Sequence, residues 1–282
     1  MALPDGFDLD DYVTRTLAED LGTGGDVTSA ATIPGDARFT ADLNCREPIV
    51  VAGLEITAAF FRALDAEVSI EPLVQDGDRV ETGTVLMRLT GNARAMLTAE
   101  RSALNTLQHL SGIATLTRRY VDAIEGTGAV LLDTRKTIPG LRVLEKYAAR
   151  MGGAHNHRMR LDDGVLIKDN HVAVCGGVAE AVRAAKAANT GLQIQVEVDR
   201  VAQIEPALAA GADRLLLDNM PPPALREAVA LVAGRVPLEA SGGVRLDTIR
   251  AIAETGVDFI SLGRITQSAP AVDIGLDYAM SR

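Results

Sequence analysis

One repeated pattern limits what this chain can fold into. Six short apolar runs each end in a charged or glycine-containing cluster: AVLLDTRKT (129–137), VLIKDN (165–170), IQVEVD (194–199), RLLLDN (214–219), VPLEASGG (236–243) and FISLGR (259–264). The later runs recur roughly every 20 residues, with helical patterns at Val178–Ala188, Ala202–Ala210 and Leu246–Glu254 between them. Alternating short strands and helices build βα units and a parallel sheet. Reactive residue types at the carboxyl end of every strand suit a barrel whose site opens at that end. Six such strands fall short of a full barrel of eight, so an incomplete barrel is expected. A doubly wound sheet is the structural rival, but no GxGxxG follows a strand and the dinucleotide fingerprint is missing.

The first part of the chain has a different pattern. Phe39, Ala41, Leu43 and Cys45 alternate with polar neighbours, as in a half-buried strand. Ile49–Ala52 is a short apolar run, and Leu54–Leu64 fits a helix. Val68–Val74 and Thr84–Leu89 read as strands around the turn Asp76-Gly77-Asp78. Leu97–Ile124 reads as a long helix with Thr98 as N-cap, and Leu104, Leu107, Leu110 and Ile113 fall on one face.

Composition removes several function classes. With 282 residues and 47% apolar content, a core can form without disulfide or metal staples. Aromatics are only 3% with no Trp, which argues against aromatic-stacking nucleic-acid modules. The net charge of −10 argues against non-specific binding to nucleic acid or anionic membranes. Cys45 and Cys175 stand outside any CxxC or Cys/His cluster, so both are expected to be buried small residues in a reducing compartment. The opening MALPDGFDLDDY lacks a basic n-region and an apolar h-region, and no long uncharged apolar run follows. The expectation is a cytoplasmic protein with no membrane span.

Charge is unevenly placed. Residues 133–170 hold eight Lys/Arg and five Asp/Glu, a net of +3, which leaves −13 on the other 244 residues. A solvated helix face would explain such an island, but so would an anion site. Arg135 and Lys136 follow the first run, and Pro139-Gly140 supplies the turn both need to reach one ligand. His157-Arg158 and Lys168 come next. Arg suits planar carboxylates because its fork donates two parallel hydrogen bonds, whereas Lys is a compact charge suited to phosphate. A single Arg at a strand end is more often a structural ion pair. Four cations on one rim repel each other unless a polyanion joins them. Glu197 and Asp218 end later runs, where they serve metal coordination, sugar hydroxyls, a developing cation, or pairing with Arg135 or Lys168. Ser241-Gly242-Gly243 and Leu262-Gly263-Arg264 end the last two, where a barrel commonly holds phosphate on backbone N–H groups.

On these residues the chain resembles the quinolinate phosphoribosyltransferase family. The resemblance is carried by ERSALNTLQHLSGIAT (100–115), DTRKTIPGLRVLEKYAARMGGAHNHR (133–158), LIKDNH (166–171), VEVD (196–199), LLLDN (215–219), EASGGV (239–244) and SAPAVDIGLDY (268–278). It implies an α/β fold: an N-terminal α/β sandwich domain over 1–115, an open parallel α/β barrel over 116–267, and a C-terminal segment, 268–282, packing back on the first domain. It implies joining of quinolinate to phosphoribosyl pyrophosphate with Mg²⁺, giving nicotinate mononucleotide, pyrophosphate and CO₂. Arg101, Arg135, His157, Arg158 and Lys168 would surround the quinolinate carboxylates. Thr134, Lys136, Glu197, Asp218, Ser241, Gly242, Gly243, Leu262, Gly263 and Arg264 complete the substrate set. Lys136, Glu197 and Asp218 carry the catalytic roles. Mg²⁺ would be held through the substrate pyrophosphate, with Glu197 and Asp218 as candidate ligands. A homodimer or dimer-based oligomer with shared active sites is implied, Arg101 serving the neighbouring subunit. The family usually has a small residue where Arg264 stands and often His where Gln267 stands.

The alternatives come from other classes. Residues 71–90 look like half of a biotinyl or lipoyl carrier module, but the hairpin lacks the attachment lysine. A related transferase of the same fold from molybdenum uptake, acting on another planar acid, is the enzyme rival. A non-catalytic barrel paralogue is expected to lose strand-end cations, and this chain keeps them. The other phosphoribosyltransferase signature, two acids after an apolar strand and then TGxT, is missing, because Asp162-Asp163 lacks both flanks.

Overall fold

The computed structural model describes residues 6–279. From the N-terminus come α1 (Leu9–Leu21), α2 (Val27–Thr32), β1 (Arg38–Cys45), β2 (Ile49–Val50), α3 (Leu54–Leu64), β3 (Ser69–Pro72), β4 (Arg79–Val80), β5 (Val85–Asn92) and α4 (Ala93–Ala123). Then follow β6 (Val130–Leu132), α5 (Arg142–Met151), β7 (Val165–Ile167), α6 (Asp169–Cys175), α7 (Val178–Ala187), β8 (Ile194–Val198) and α8 (Ile204–Ala209). The chain ends with β9 (Arg214–Asp218), α9 (Pro222–Val232), β10 (Leu238–Ser241), α10 (Ile249–Ala253), β11 (Phe259–Ser261), α11 (Arg264–Gln267) and β12 (Ile274–Tyr278). These elements divide into two units. One holds the described residues of Met1–Leu116, Val143–Gly152 and Ala269–Arg282; the other holds Thr117–Arg142 and Gly153–Ser268.

The first unit is built on an antiparallel sheet in the order β12-β1-β5-β3, with β2 and β4 paired separately. Alternation along β1 buries Ala41, Leu43 and Cys45. On α4, Leu104, Leu107, Leu110 and Ile113 are all buried, which is the face their spacing marks. The helix starts earlier than Thr98. Asn92 Oδ1 accepts the Ala95 N–H at 3.1 Å and so caps the first turn, while Thr98 lies inside the helix and donates to the Arg94 carbonyl at 2.8 Å. The start of α3 has no cap of its own, because Gly53 sits there in the left-handed region. Asp76, from the turn, accepts the N–H groups of Gly53 at 2.9 Å and Leu54 at 3.1 Å. It also accepts the Tyr147 hydroxyl. Burial first, then that carboxylate, pushes the Tyr147 phenol well above its usual range. The C-terminal strand β12 pairs with β1, Ala41 opposite Tyr278 and Cys45 opposite Ile274. Gly112 admits this return, since a Cβ there would lie 2.1 Å from the Pro270 carbonyl oxygen.

The second unit is a parallel sheet of six strands, and each of the six apolar runs supplies one. Their order is β6-β11-β10-β9-β8-β7. The end strands β6 and β7 are not paired with each other, so the barrel is open between them. Both faces of the strands are covered. Val196, Leu215 and Leu217 are fully buried, and Leu216 nearly so.

Two sequence expectations change. Cys45 is buried, but Cys175 is exposed; it ends α6, a helix with no buried residue. The apolar letters of that short helix mark no core position. The segment Val143–Gly152, in the middle of the expected barrel region, groups with the first unit. No helix among the described residues is long and apolar enough to cross a membrane.

Candidate active site

The carboxyl ends of the six strands converge on one cavity of about 670 Å³. At β6, the buried carboxylate of Asp133 ties down a distant loop. Its Oδ1 accepts the His157 N–H at 2.8 Å, and its Oδ2 accepts the Asn156 amide. The chain then turns sharply: Thr134 Oγ accepts the Lys136 N–H at 3.0 Å. That turn lets the adjacent Arg135 and Lys136 both line the cavity. Ile138 and Leu141 close the next turn across Pro139-Gly140 at 3.0 Å, with Gly140 at φ +84°. Lys136 lies across Gly263, where a Cβ would stand 2.5 Å from its Cδ. Thr266 Oγ donates to the Lys136 carbonyl at 2.7 Å.

Arg135 and Arg158 lie close enough to act on each other's charge. Arg158 donates Nη1 to the Gly164 carbonyl at 2.8 Å. Burial lowers its affinity for the proton, and the neighbouring charge of Arg135 lowers it further, with Asp163 opposing. The Nε of Arg135 is buried with no hydrogen-bond partner. Two guanidinium groups that repel each other inside a cavity, one with an unmet donor, form a receptor for a planar anion with more than one charge. Lys168 Nζ stands 3.6 Å from Glu197 Oε2, so the ion-pair reading of Glu197 describes part of its surroundings.

The acids occupy neighbouring strands. Glu197 on β8 and Asp218 on β9 both line the cavity. Burial raises the Glu197 carboxyl above its ordinary range; Lys168 opposes this, and Asp218 and Asp169 add to it. Asn219 fixes the second acid by donating from Nδ2 to Asp218 Oδ2 at 2.6 Å. Its backbone is left-handed, φ +53°, a conformation Asn tolerates better than most residues. Gly242 packs on it so closely that a Cβ would lie 2.2 Å from Asn219 Oδ1. Ser241 Oγ donates to the Ser261 carbonyl at 3.4 Å.

Thr134, Arg135, Lys136, His157, Arg158, Lys168, Glu197, Asp218, Ser241, Gly242, Gly243, Leu262, Gly263 and Arg264 therefore share one cavity. Gln267 lines it too. Arg101 does not: it is an exposed residue of α4 in the first unit. Sequence reasoning missed Asn219 and the anchoring role of Asp133. The Asp-Asn pair after a buried strand was the available signal for Asn219.

Comparison with known proteins agrees with this geometry. A family model described as "Quinolinate phosphoribosyl transferase, C-terminal domain" matches residues 113–277, and one described as "Quinolinate phosphoribosyl transferase, N-terminal domain" matches 26–111. The chain belongs to the quinolinate phosphoribosyltransferase family. It is 44% identical over 275 residues to the "Nicotinate-nucleotide pyrophosphorylase [carboxylating]" of Mycobacterium leprae, covering 95% of this chain and 96% of that one. It is 43% identical over 274 residues to the probable enzyme of the same name from Bacillus subtilis, covering 97% and 94%. The solved structure of the nicotinate-nucleotide pyrophosphorylase from Francisella tularensis superposes with a TM-score of 0.93 at 40% identity, covering 99% of this chain and all of that one. The sandwich-plus-open-barrel architecture is thus that of the quinolinate phosphoribosyltransferase family.

Proposed function

We propose that the chain transfers the phosphoribosyl group of phosphoribosyl pyrophosphate to quinolinate with decarboxylation, giving nicotinate mononucleotide, pyrophosphate and CO₂. The observation that carries this is the Arg135–Arg158 pair in a cavity that also holds Lys136, Glu197 and Asp218. A pyridine dicarboxylate relieves the repulsion between the guanidinium groups. Lys136, Gly242, Gly243, Gly263 and Arg264 supply charge and backbone N–H groups for phosphates. The names of the relatives support this reading over the molybdenum-uptake alternative.

The chemistry follows from placement and charge. The pyridine nitrogen forms a bond to the ribose carbon as the bond to pyrophosphate breaks. Glu197 and Asp218 stabilise the positive charge that develops on the ribose, and Lys136 neutralises the leaving group. The resulting pyridinium accepts the electron pair left when the adjacent carboxylate departs as CO₂, and a proton from solvent replaces it. No side-chain nucleophile is required. Holding two polyanions together is the main task of the protein. No group of three or more metal-ligating side chains occurs among the described residues. Two carboxylates in one cavity, Glu197 and Asp218, fit Mg²⁺, which keeps waters and binds through one or two carboxylates plus substrate phosphates. When bound, the ion supplies charge neutralisation for pyrophosphate; Glu197 and Asp218 are the residues that would hold it.

The proposal extends to assembly: a dimer in which Arg101 reaches the neighbouring subunit's site, supported by its exposure and by its place outside the cavity lining. We also place the protein in the cytoplasm, since polyanionic substrates do not cross a bilayer unaided and the chain must share a compartment with them. The deciding assay follows nicotinate mononucleotide from quinolinate, phosphoribosyl pyrophosphate and Mg²⁺. Formation with quinolinate, and none with nicotinate or nicotinamide, is expected. Equal use of nicotinate would overturn the reading.

A further inference from the structure

Below the strand-end residues lies a second polar layer inside the barrel. Side chains two apart on a strand share a face, so Gln195 sits beneath Glu197 on β8, and Glu239 beneath Ser241 on β10. Both are buried, Glu239 completely. Glu239 is reached at the floor of the cavity, and a chain of contacts runs from it to the rim. Arg214 Nη2 lies 2.7 Å from Glu239 Oε2, and its guanidinium stacks 3.9 Å above the Phe259 ring. Gln195 Nε2 donates to Glu239 Oε2 at 2.9 Å. His157 Nε2 lies 3.1 Å from Gln195 Oε1 and 3.4 Å from Glu239 Oε2. The Arg158 N–H donates to His157 Nδ1 at 2.7 Å.

Every direction in this chain is forced. A backbone N–H only donates, so His157 Nδ1 accepts and the ring proton is on Nε2. Gln195 must then accept through oxygen and donate through nitrogen. The chain ends on a carboxylate, which only accepts. Burial works against the Glu239 charge, but the hydrogen bond from His157, with Arg214 and Ser261, holds its carboxyl below the ordinary range.

We infer that Gln195 and Glu239 are positioning residues that lock the His157 ring, and through it the backbone of Arg158, at the end of the cavity that receives the quinolinate carboxylates. The choice of substrate rests on the function proposed above. The Arg158 guanidinium keeps one bond, to Gly164, which leaves its remaining donors for the carboxylate, and a backbone locked in advance reduces the reorganisation that binding needs.

The test uses the intact protein. Nitrogen-15 spectra of the histidine rings in the wild type show the His157 proton on Nε2; a proton on Nδ1 in the unliganded protein overturns the chain, whatever the variants do. Gln195→Met keeps side-chain length and removes both hydrogen bonds. Titration calorimetry is expected to show quinolinate binding weakened about tenfold, with phosphoribosyl pyrophosphate within about twofold. In a His157→Ala background the same substitution adds nothing. Equal weakening of both substrates, no weakening of either, or full additivity with His157→Ala refutes the positioning role. A wild type that binds no quinolinate refutes the function reading instead, and the spectrum still reports on the chain.

Discussion

Arg158 stands at a point where burial and a like charge both act against its own ionisation. An anion there gains more than it would at an exposed arginine, because the cavity screens less. Arg158→Ala is therefore expected to weaken quinolinate binding by about 1.5–3 kcal/mol, the loss of a charge-assisted bond. Binding of phosphoribosyl pyrophosphate should change far less, and calorimetry of each substrate separates the two. Glu197 makes the opposite kind of prediction. Its carboxyl is raised, so the folded state holds the proton more tightly than the unfolded chain. Its contribution to stability falls as pH rises from the ordinary carboxylate range through the raised value. Glu197→Gln should thus raise the melting temperature of the unliganded protein at pH 7, and the gain should vanish as pH falls below the ordinary range. The same variant should lower kcat about a hundredfold with little change in KM, because a charge that meets a developing cation acts in the transition state. A pure KM effect would make Glu197 a binding group.

At the scale of elements, the strand-to-helix turns carry the site. The β11–α11 turn is the sharpest case. Gly263 has an ordinary helical backbone, φ −77°, so alanine fits the main chain without strain. Its Cβ would nevertheless stand 2.5 Å from Lys136 Cδ and 2.8 Å from Lys136 Cβ. Gly263 is buried, so Gly263→Ala should overpack the turn by about 1–3 kcal/mol and lower the melting temperature by a few degrees. It should raise KM for phosphoribosyl pyrophosphate by about tenfold through displacement of Lys136. An unchanged KM would separate Lys136 from the phosphoribosyl end. The two turns differ in legibility. DTRKT with Pro139-Gly140 announced its turn, because proline and glycine act locally. The dependence of Gly263 on Lys136 joins residues more than a hundred positions apart, and no local pattern reports it.

For the whole molecule, the question is where Arg101 acts. Arg101→Ala and Lys136→Ala are each expected to abolish most activity alone. After dissociation and reassociation, random mixing makes half the dimers mixed, and each mixed dimer holds one site with both defects and one with neither. Roughly a quarter of all sites should recover if the site is shared. No recovery, with mixed dimers confirmed by mass, would assign Arg101 to its own subunit or to no site.

The order of short buried strands and helices, the face of α4 and the cations at strand ends were all written in local periodicity, and local periodicity is set by backbone geometry that neighbours along the chain share. That was enough for the parallel open barrel and for many of the residues lining its cavity, though not for Asn219. The start of α4 differs from the expected one because Thr98 and Asn92 are both good caps, and it is Asn92, at the end of β5, that accepts the Ala95 N–H. The capping of α3 by Asp76, the grouping of Val143–Gly152 with the first unit, the exposure of Cys175 and the Arg158–His157–Gln195–Glu239 chain came from tertiary structure alone. The two hydrogen-bonded sets depend on which distant donor or acceptor lies within about 3 Å, and the other two on which distant residues pack together, neither of which is set by separation in sequence.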